Sequence, residues 1–319
     1  MTSQRLFNDI HKRARHSGDS VIIDVIFENG KPVVERRPCP CILLSQALIE
    51  NIANMLFKDF NEPMLRLVFE ELAEVPSDVV NTIWVETIRK DTFAAVTDHG
   101  RVVTWGNARY GGDSSGVAGE LASGVVYVVA SLFAFAALKE GGRVGTWGDA
   151  YYGGDSSTVA RELDSGVVKI VATGGAFAAV VEGGRVVSWG HPHFGGDSSQ
   201  VEEALAGGVQ RVVATDAAFA AVISGGRVVT WGLAGYGGDS RKVAGELASG
   251  VEQVVAQRAA LAAIKEGGSV VTWGDARYGG DSREVAGDLA SGVVEVVTVS
   301  SNRFAARKKD GQIVKWGGH

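Results

Sequence analysis

A Trp-Gly pair recurs through most of this chain at a fixed interval. Trp105, Trp147, Trp189, Trp231 and Trp273 fall 42 residues apart, and Trp316 follows after 43. A constant period of this size means that one supersecondary unit is repeated, as in solenoids, propellers and arrays. Each unit needs its neighbours to bury its apolar surface. That constrains the fold more than any other feature here.

Residues 176–213, AFAAVVEGGRVVSWGHPHFGGDSSQVEEALAGGVQRVV, show one period almost whole. VVKIVA, starting at Val167, reads as a first strand and AFAAVVE as a second. Gly183-Gly184 supplies the positive φ of a tight hairpin, and RVVSWG is the third strand. The loop HPHFGG follows. Asp197, Ser198 and Ser199 then offer side-chain oxygens to the free amides of a short helix, QVEEALAG. Ser199 and Glu202 have the spacing of a capping box, and Gly207-Gly208 ends the segment. Helices this short do not hold alone in water, so packing against the strands must hold them. Gly119, Gly245 and Gly287 weaken three of them further.

The strands are apolar on both alternating faces, as in VVYVVA (residues 125–130) and FAFAAL (residues 133–138). An exposed sheet face would alternate with polar residues. A three-stranded sheet covered on both sides at a fixed period is what a β-propeller blade requires. The expected fold is mainly β with short helices: a propeller of six blades, each of three antiparallel strands and one short helix. The Ala-rich second strand suits a crowded inner position. A linear solenoid would instead need a polar face at each end, and the last unit stops at Trp-Gly-Gly-His. A helix over residues 64–75 could supply the element the last blade lacks. A degenerate seventh blade stays open, because FENGKPVVE (residues 27–35) faintly echoes VEGGRVVSW.

Residues 1–78 lie outside the repeat, which runs over 79–319. They read as a short helix or loose arm to residue 20, then a hairpin over 20–37 turning at Asn29-Gly30, then two helices between residues 42 and 75 separated near Pro63. The first β-run of the repeat is expected over 79–87.

Hydrophobic residues make up 45% of the 319 and charged residues 21%, ordinary for a globular protein. The 43 glycines are roughly twice the usual share, and the repeat accounts for them. Net charge is −6, with acids in excess both within residues 1–78 and beyond them. No cationic stripe is present to track phosphates, so nucleic acid is not an expected partner. Two cysteines, Cys39 and Cys41, cannot staple a secreted scaffold, which suits a reducing, cytoplasmic setting. The basic first 20 residues lack the apolar core of a secretory signal and resemble a transit peptide only weakly, so import into an organelle stays open. No apolar run is long enough for a membrane span.

The phrase AFAA-(L/V)-x-x-GGRVVTWG resembles the repeat of the regulator of chromosome condensation family over residues 82–316, most strongly at the Trp-Gly pairs. The chain is more similar still to tandem 42-residue repeat proteins built on WGDxxxGGDSS. The resemblance implies a propeller, seven-bladed in that family, and a guanine-nucleotide exchange activity on a small GTPase. Here the DSS segment stands where that family has its outermost strand. No stretch matches the family's exchange loop.

Reactive constellations are thin. Asp113, Asp155, Asp197, Asp239 and Asp281 recur in Gly-Gly-Asp-Ser, but the second acid of Asp149 and Asp275 becomes Asn107, His191 and Leu233 elsewhere. A calcium site needs six or more converging oxygens, so helix capping is the simpler role. His191 and His193 lack the further ligands of a metal centre. No nucleophile–base motif appears. The expectation is therefore a protein without enzymatic activity or cofactor.

The scaffold words barely vary between units, whereas the loop after Trp-Gly does: NARY, DAYY, HPHF, LAGY, DARY. These loops should share one rim, where exposed aromatic and Arg residues suit a protein interface. The candidates are Arg109, Tyr110, Tyr151, Tyr152, His193, Phe194, Tyr236, Arg277 and Tyr278. The last aromatic of each loop could instead pack on its own blade. The expected function is a protein-interaction scaffold or a peripheral subunit of a larger assembly, with the small-GTPase regulator as the alternative.

Overall fold

The computed structural model describes residues 25–28, 31–34, 84–88, 92–97 and 99–318. The chain divides into two compact units, residues 1–84 and 85–319. In the first, β1 (Val25–Glu28) pairs antiparallel with β2 (Lys31–Val34). Glu28 faces Lys31, and the expected turn residues Asn29 and Gly30 lie outside the described residues. Among the described residues this hairpin is a sheet of two strands. The expected helices between residues 42 and 75, Cys39, Cys41 and residues 1–20 lie outside the described residues.

The repeat is mainly β. Six three-stranded antiparallel sheets follow one another, an architecture consistent with a six-bladed propeller. Sheet 1 holds Trp84–Ile88, Thr92–Val96 and Val102–Gly106. Sheet 2 holds Val125–Ala130, Ala134–Lys139 and Val144–Gly148. Sheet 3 holds Val167–Ala172, Ala176–Val181 and Val186–Gly190. Sheet 4 holds Val209–Ala214, Ala218–Ile223 and Arg227–Gly232. Sheet 5 holds Val251–Gln257, Ala260–Lys265 and Val270–Gly274. Sheet 6 holds Val293–Ser300, Arg303–Lys308 and Ile313–Gly317.

In every sheet the Ala-rich strand is the middle one of three. First strands of successive sheets lie beside one another, so the innermost position expected for the Ala-rich strand is corrected to the centre of its own sheet. Its two faces go to different neighbours. Ala134, Ala136 and Leu138 of sheet 2 pack on Phe177, Ala179 and Trp189 of sheet 3. Ala176, Ala178 and Val180 of sheet 3 then pack on Phe219, Ala221 and Trp231 of sheet 4. Small side chains on one sheet thus receive the aromatic pair of the next, which is why neither face alternates with polar residues.

The segment after Gly-Gly-Asp-Ser is tighter than the short helix expected. It is a 3₁₀ turn in each of the five units that carry it, Ser199–Val201 in the third, and among the described residues two of them add one α turn: α1 (Glu202–Leu205) and α2 (Ala286–Leu289). Asp197 accepts from the amide of Ser199 at 2.9 Å, and the hydroxyl of Ser199 also donates to it. Ser199 is therefore spent on Asp197, and the Ser199–Glu202 capping box is not the cap that forms. One leucine of each lobe, such as Leu163 or Leu205, plugs the core between its own sheet and the next. Burying it contributes roughly 1.5–3 kcal/mol.

The sixth sheet departs from the repeat on one face. The face of sheet 6 turned away from sheet 5 carries Arg303 and Arg307 where sheet 2 carries Ala134 and Leu138, and both arginines are exposed. That face of sheet 6 is polar.

Candidate functional site

The five variable loops share one construction. In the second unit Asp149 has extended backbone, φ −68 and ψ 117, and its carboxylate accepts from the amide of Tyr151 at 3.1 Å. A three-residue 3₁₀ turn follows, Ala150–Tyr152, closed by Gly153 at φ 100. Left-handed backbone there is open to glycine without strain. Asn107, His191 and Asp275 cap their own loops in the same way, His191 through Nδ1 to the amide of His193 at 3.1 Å. Leu233 has no such side chain, and its loop keeps the same backbone without the cap. The second acids of Asp149 and Asp275 thus act as loop caps. Among the described residues, no group of three His, Cys, Asp or Glu side chains converges as a metal site.

The last aromatic of each loop is half-buried, and Tyr110, Tyr152 and Phe194 do not pack on their own blade alone. Tyr152 lies 4.2 Å, centroid to centroid, from Phe133 of its own unit and 6.3 Å from Phe194 of the next. Tyr110 of the first unit sits 5.4 Å from Phe133 of the second. The backbone carbonyls of Phe194 and Tyr236 are held by Thr173 and Thr215, at 2.9 and 3.0 Å. Those threonines sit in the turn between first and second strands, so that turn and the variable loop form one surface. Successive turns are joined directly: Leu132 N–H donates to Gly174 O, Gly174 N–H to Asp216 O, and Asp216 N–H to Arg258 O.

Five of the predicted residues are therefore partly structural: Tyr110, Tyr152, Phe194, Tyr236 and Tyr278. The other four project outward. Tyr151 is 62% exposed, and His193, Arg109 and Arg277 are exposed as well. Arg109 reaches Asp149 of the next unit at 3.5 Å and lies 6.0 Å over the ring of Tyr110. Arg277 pairs with Asp275 of its own loop at 2.6 Å. The densest grouping is around His191, whose ring is 4.6 Å from Tyr151, 5.3 Å from Tyr152, 5.1 Å from Phe194 and 5.5 Å from His193. Burial among these rings, and secondarily the charge of His193, holds the pKa of His191 below its ordinary value.

Sequence reasoning missed Leu132, which is 45% exposed beside Gly174, where Phe194 also packs. It missed Phe133, Asp216 and Arg258 for the same reason. All four lie in the turns SLF, TGG, TDA and QRA, which vary between units as much as the loops do. That variation was the signal. Among the described residues, no helix is long and apolar enough to cross a membrane.

No protein-family model matches this chain, and no curated protein matches it. Solved structures resemble it at low identity. The ectodomain of the receptor kinase CR4 from Physcomitrella patens is 15% identical with a TM-score of 0.40, covering 71% of this chain and 59% of that one. Human WBSCR16 is 18% identical at 0.41, covering 62% and 63%. This chain thus spans less than two thirds of the length of either. Yeast RCC1 (Prp20), crystallised with Kap60, is 14% identical at 0.42, covering 76% and 70%.

Proposed function

We propose that this protein is a non-enzymatic protein-interaction scaffold, or a peripheral subunit of a larger assembly, that binds a protein partner through the rim of variable loops. The observation that carries this reading is the contiguous aromatic surface of the second and third units. Tyr151 and Leu132 are largely exposed there, around a half-buried floor of Tyr152, His191 and Phe194. Rigid aromatic side chains give large contact area at small entropic cost, and they are enriched where protein interfaces concentrate their energy. The backbone ladder through Leu132, Gly174 and Asp216 fixes the floor before any partner arrives, which limits the ordering cost of binding.

A photo-cross-linking residue at position 151 of the full chain, expressed in its native source, tests this. A discrete partner should be captured, and the capture should be lost when Leu132→Ser and Phe194→Ala are added. Cross-links scattered over many abundant proteins, or unchanged by those substitutions, would remove the rim as the binding surface.

A further inference from the structure

Beyond the rim, the outer face of sheet 6 departs from the repeat in one direction. We infer that this face is a docking surface for an acidic, partly apolar segment of a partner protein. Strand register fixes which residues share it. Ala305 opposes Lys315, and Arg307 opposes Ile313. On the other side Arg307 opposes Glu295, and Ala305 opposes Val297. Because side chains alternate, Arg303, Arg307, Lys315 and Ile313 stand together on one side. Phe304, Ala306, Val314 and Trp316 are buried on the other, against sheet 5.

The equivalent face of sheet 3 carries Ala176, Ala178 and Val180 on its middle strand, all buried beneath sheet 4. In sheet 6 the first and third of these become Arg303 and Arg307, and Lys315 stands where sheet 3 has Ser188. All three cations are exposed. A sheet face open to water needs polar side chains, but polarity of either sign would serve. Here three cations face one carboxylate, Glu295, in a chain whose net charge is −6. Glu295 holds only Arg307, at 3.0 Å. Arg303 reaches no closer than 3.5 Å to the carbonyl of Gly318. The sign of the surface therefore opposes that of the whole chain.

Ile313 narrows the chemistry. It is 53% exposed, opposite Arg307 and two residues along the strand from Lys315. A nucleic-acid backbone would set it against phosphates and leave it unmatched, whereas a protein segment can place an apolar side chain on it and carboxylates beside it. Arginine is suited to this, because its planar fork pairs with a carboxylate through two hydrogen bonds.

The test uses the full chain and fluorescence anisotropy with three labelled probes: a short peptide alternating Glu and Leu, the same peptide with Gln for Glu, and oligo-dT. The Glu peptide should bind about tenfold more tightly than the Gln peptide and weaken steeply with salt. R303E/R307E should cost about tenfold or more in its affinity. R303S/R307S should cost less. Ile313→Ser should weaken binding with the salt dependence unchanged. Carbodiimide should cross-link the Glu peptide to Lys315, and Tyr151→Ser should change nothing, which separates this face from the rim. The inference is overturned if the Gln peptide binds equally well, if oligo-dT binds more tightly, if the charge-reversed chain keeps its affinity while its tryptophan fluorescence is native, or if the cross-links avoid Lys315.

Discussion

The indole Nε1 of Trp189 donates a 3.1 Å hydrogen bond to the carbonyl oxygen of Gly153, a residue of the preceding unit. The same bond recurs from Trp147 to Gly111, Trp231 to Gly195, Trp273 to Gly237 and Trp316 to Gly279, each at 3.0 Å. The Trp-Gly beat is thus a latch between neighbours, and the residue paired with each indole, Phe177 stacked 5.3 Å from Trp189 but Leu261 opposite Trp273, fills the space beneath it. Trp189 is 2% exposed. Trp189→Ala should destabilise by about 3–5 kcal/mol through the cavity it opens. Trp189→Phe should cost about 1–3 kcal/mol, because the Gly153 carbonyl is left without its donor. Urea unfolding measures both. A loss below about 1 kcal/mol for the alanine variant would mean that the indole holds little together.

The first unit offers the control. Trp105 stacks on Phe93 at 5.3 Å like the others, yet its Nε1 is buried with no hydrogen-bond partner among the described residues. Removing a buried donor that already lacks a partner leaves no acceptor stranded. Trp105→Phe should therefore change stability by less than about 1 kcal/mol, in either direction. The same substitution at Trp147 should cost visibly more. Equal losses at the two positions would show that ring volume, and not the latch, sets the effect.

Much of this was readable in the letters. The Trp period counted the sheets, and the absence of polar alternation showed that both faces are covered. What escaped was anything that joins one unit to the next. The Gly-Gly after each loop looked like a turn, and Gly153 does turn the chain, but its carbonyl also receives the following tryptophan. Tyr152 reads in the sequence as an interface candidate or as packing on its own blade, and it bridges two. Pattern reading sees a residue's own period well and sees contacts one period away poorly. The polar face of sheet 6 was legible all the same: RFAARK set beneath AFAALK exchanges Ala134 and Leu138 for Arg303 and Arg307.

Two glycines of the fifth unit should respond in opposite directions to alanine. Gly287 lies inside α2, and a Cβ there would meet nothing within 4 Å. Gly287→Ala should stabilise by about 0.5–1 kcal/mol, by relieving the entropy cost of glycine in a helix. Gly280 has no unusual φ, but a Cβ on it would lie 2.4 Å from the carbonyl oxygen of Gly274. That atom is backbone and cannot swing aside, so Gly280→Ala should destabilise by about 1–3 kcal/mol. Thermal unfolding of the two single variants decides it. A loss in both would mean that the lobe carrying Gly287 is more tightly packed than its open surroundings indicate.

His191 should give the rim a mild sensitivity to acid. Burial among the neighbouring rings holds its pKa below the ordinary 6.5, and the charge of His193 adds to this. The folded chain therefore binds this proton less readily than the unfolded chain. Stability is intact above pH 6.5 and declines as pH falls from there through the lower folded value. The capping aspartates, such as Asp197, are held below the usual carboxylate range chiefly by the amide of Ser199, and their contribution is lost only at more acid pH. His191→Asn separates the two windows. Asparagine stands at the equivalent Asn107, where its side chain accepts the amide of Arg109 at 3.1 Å, so the loop cap survives the change. The variant should lose the decline just below pH 6.5 and keep the later one, read as chemical-denaturation midpoints across a pH series. An unchanged profile would show that His191 does not set this decline.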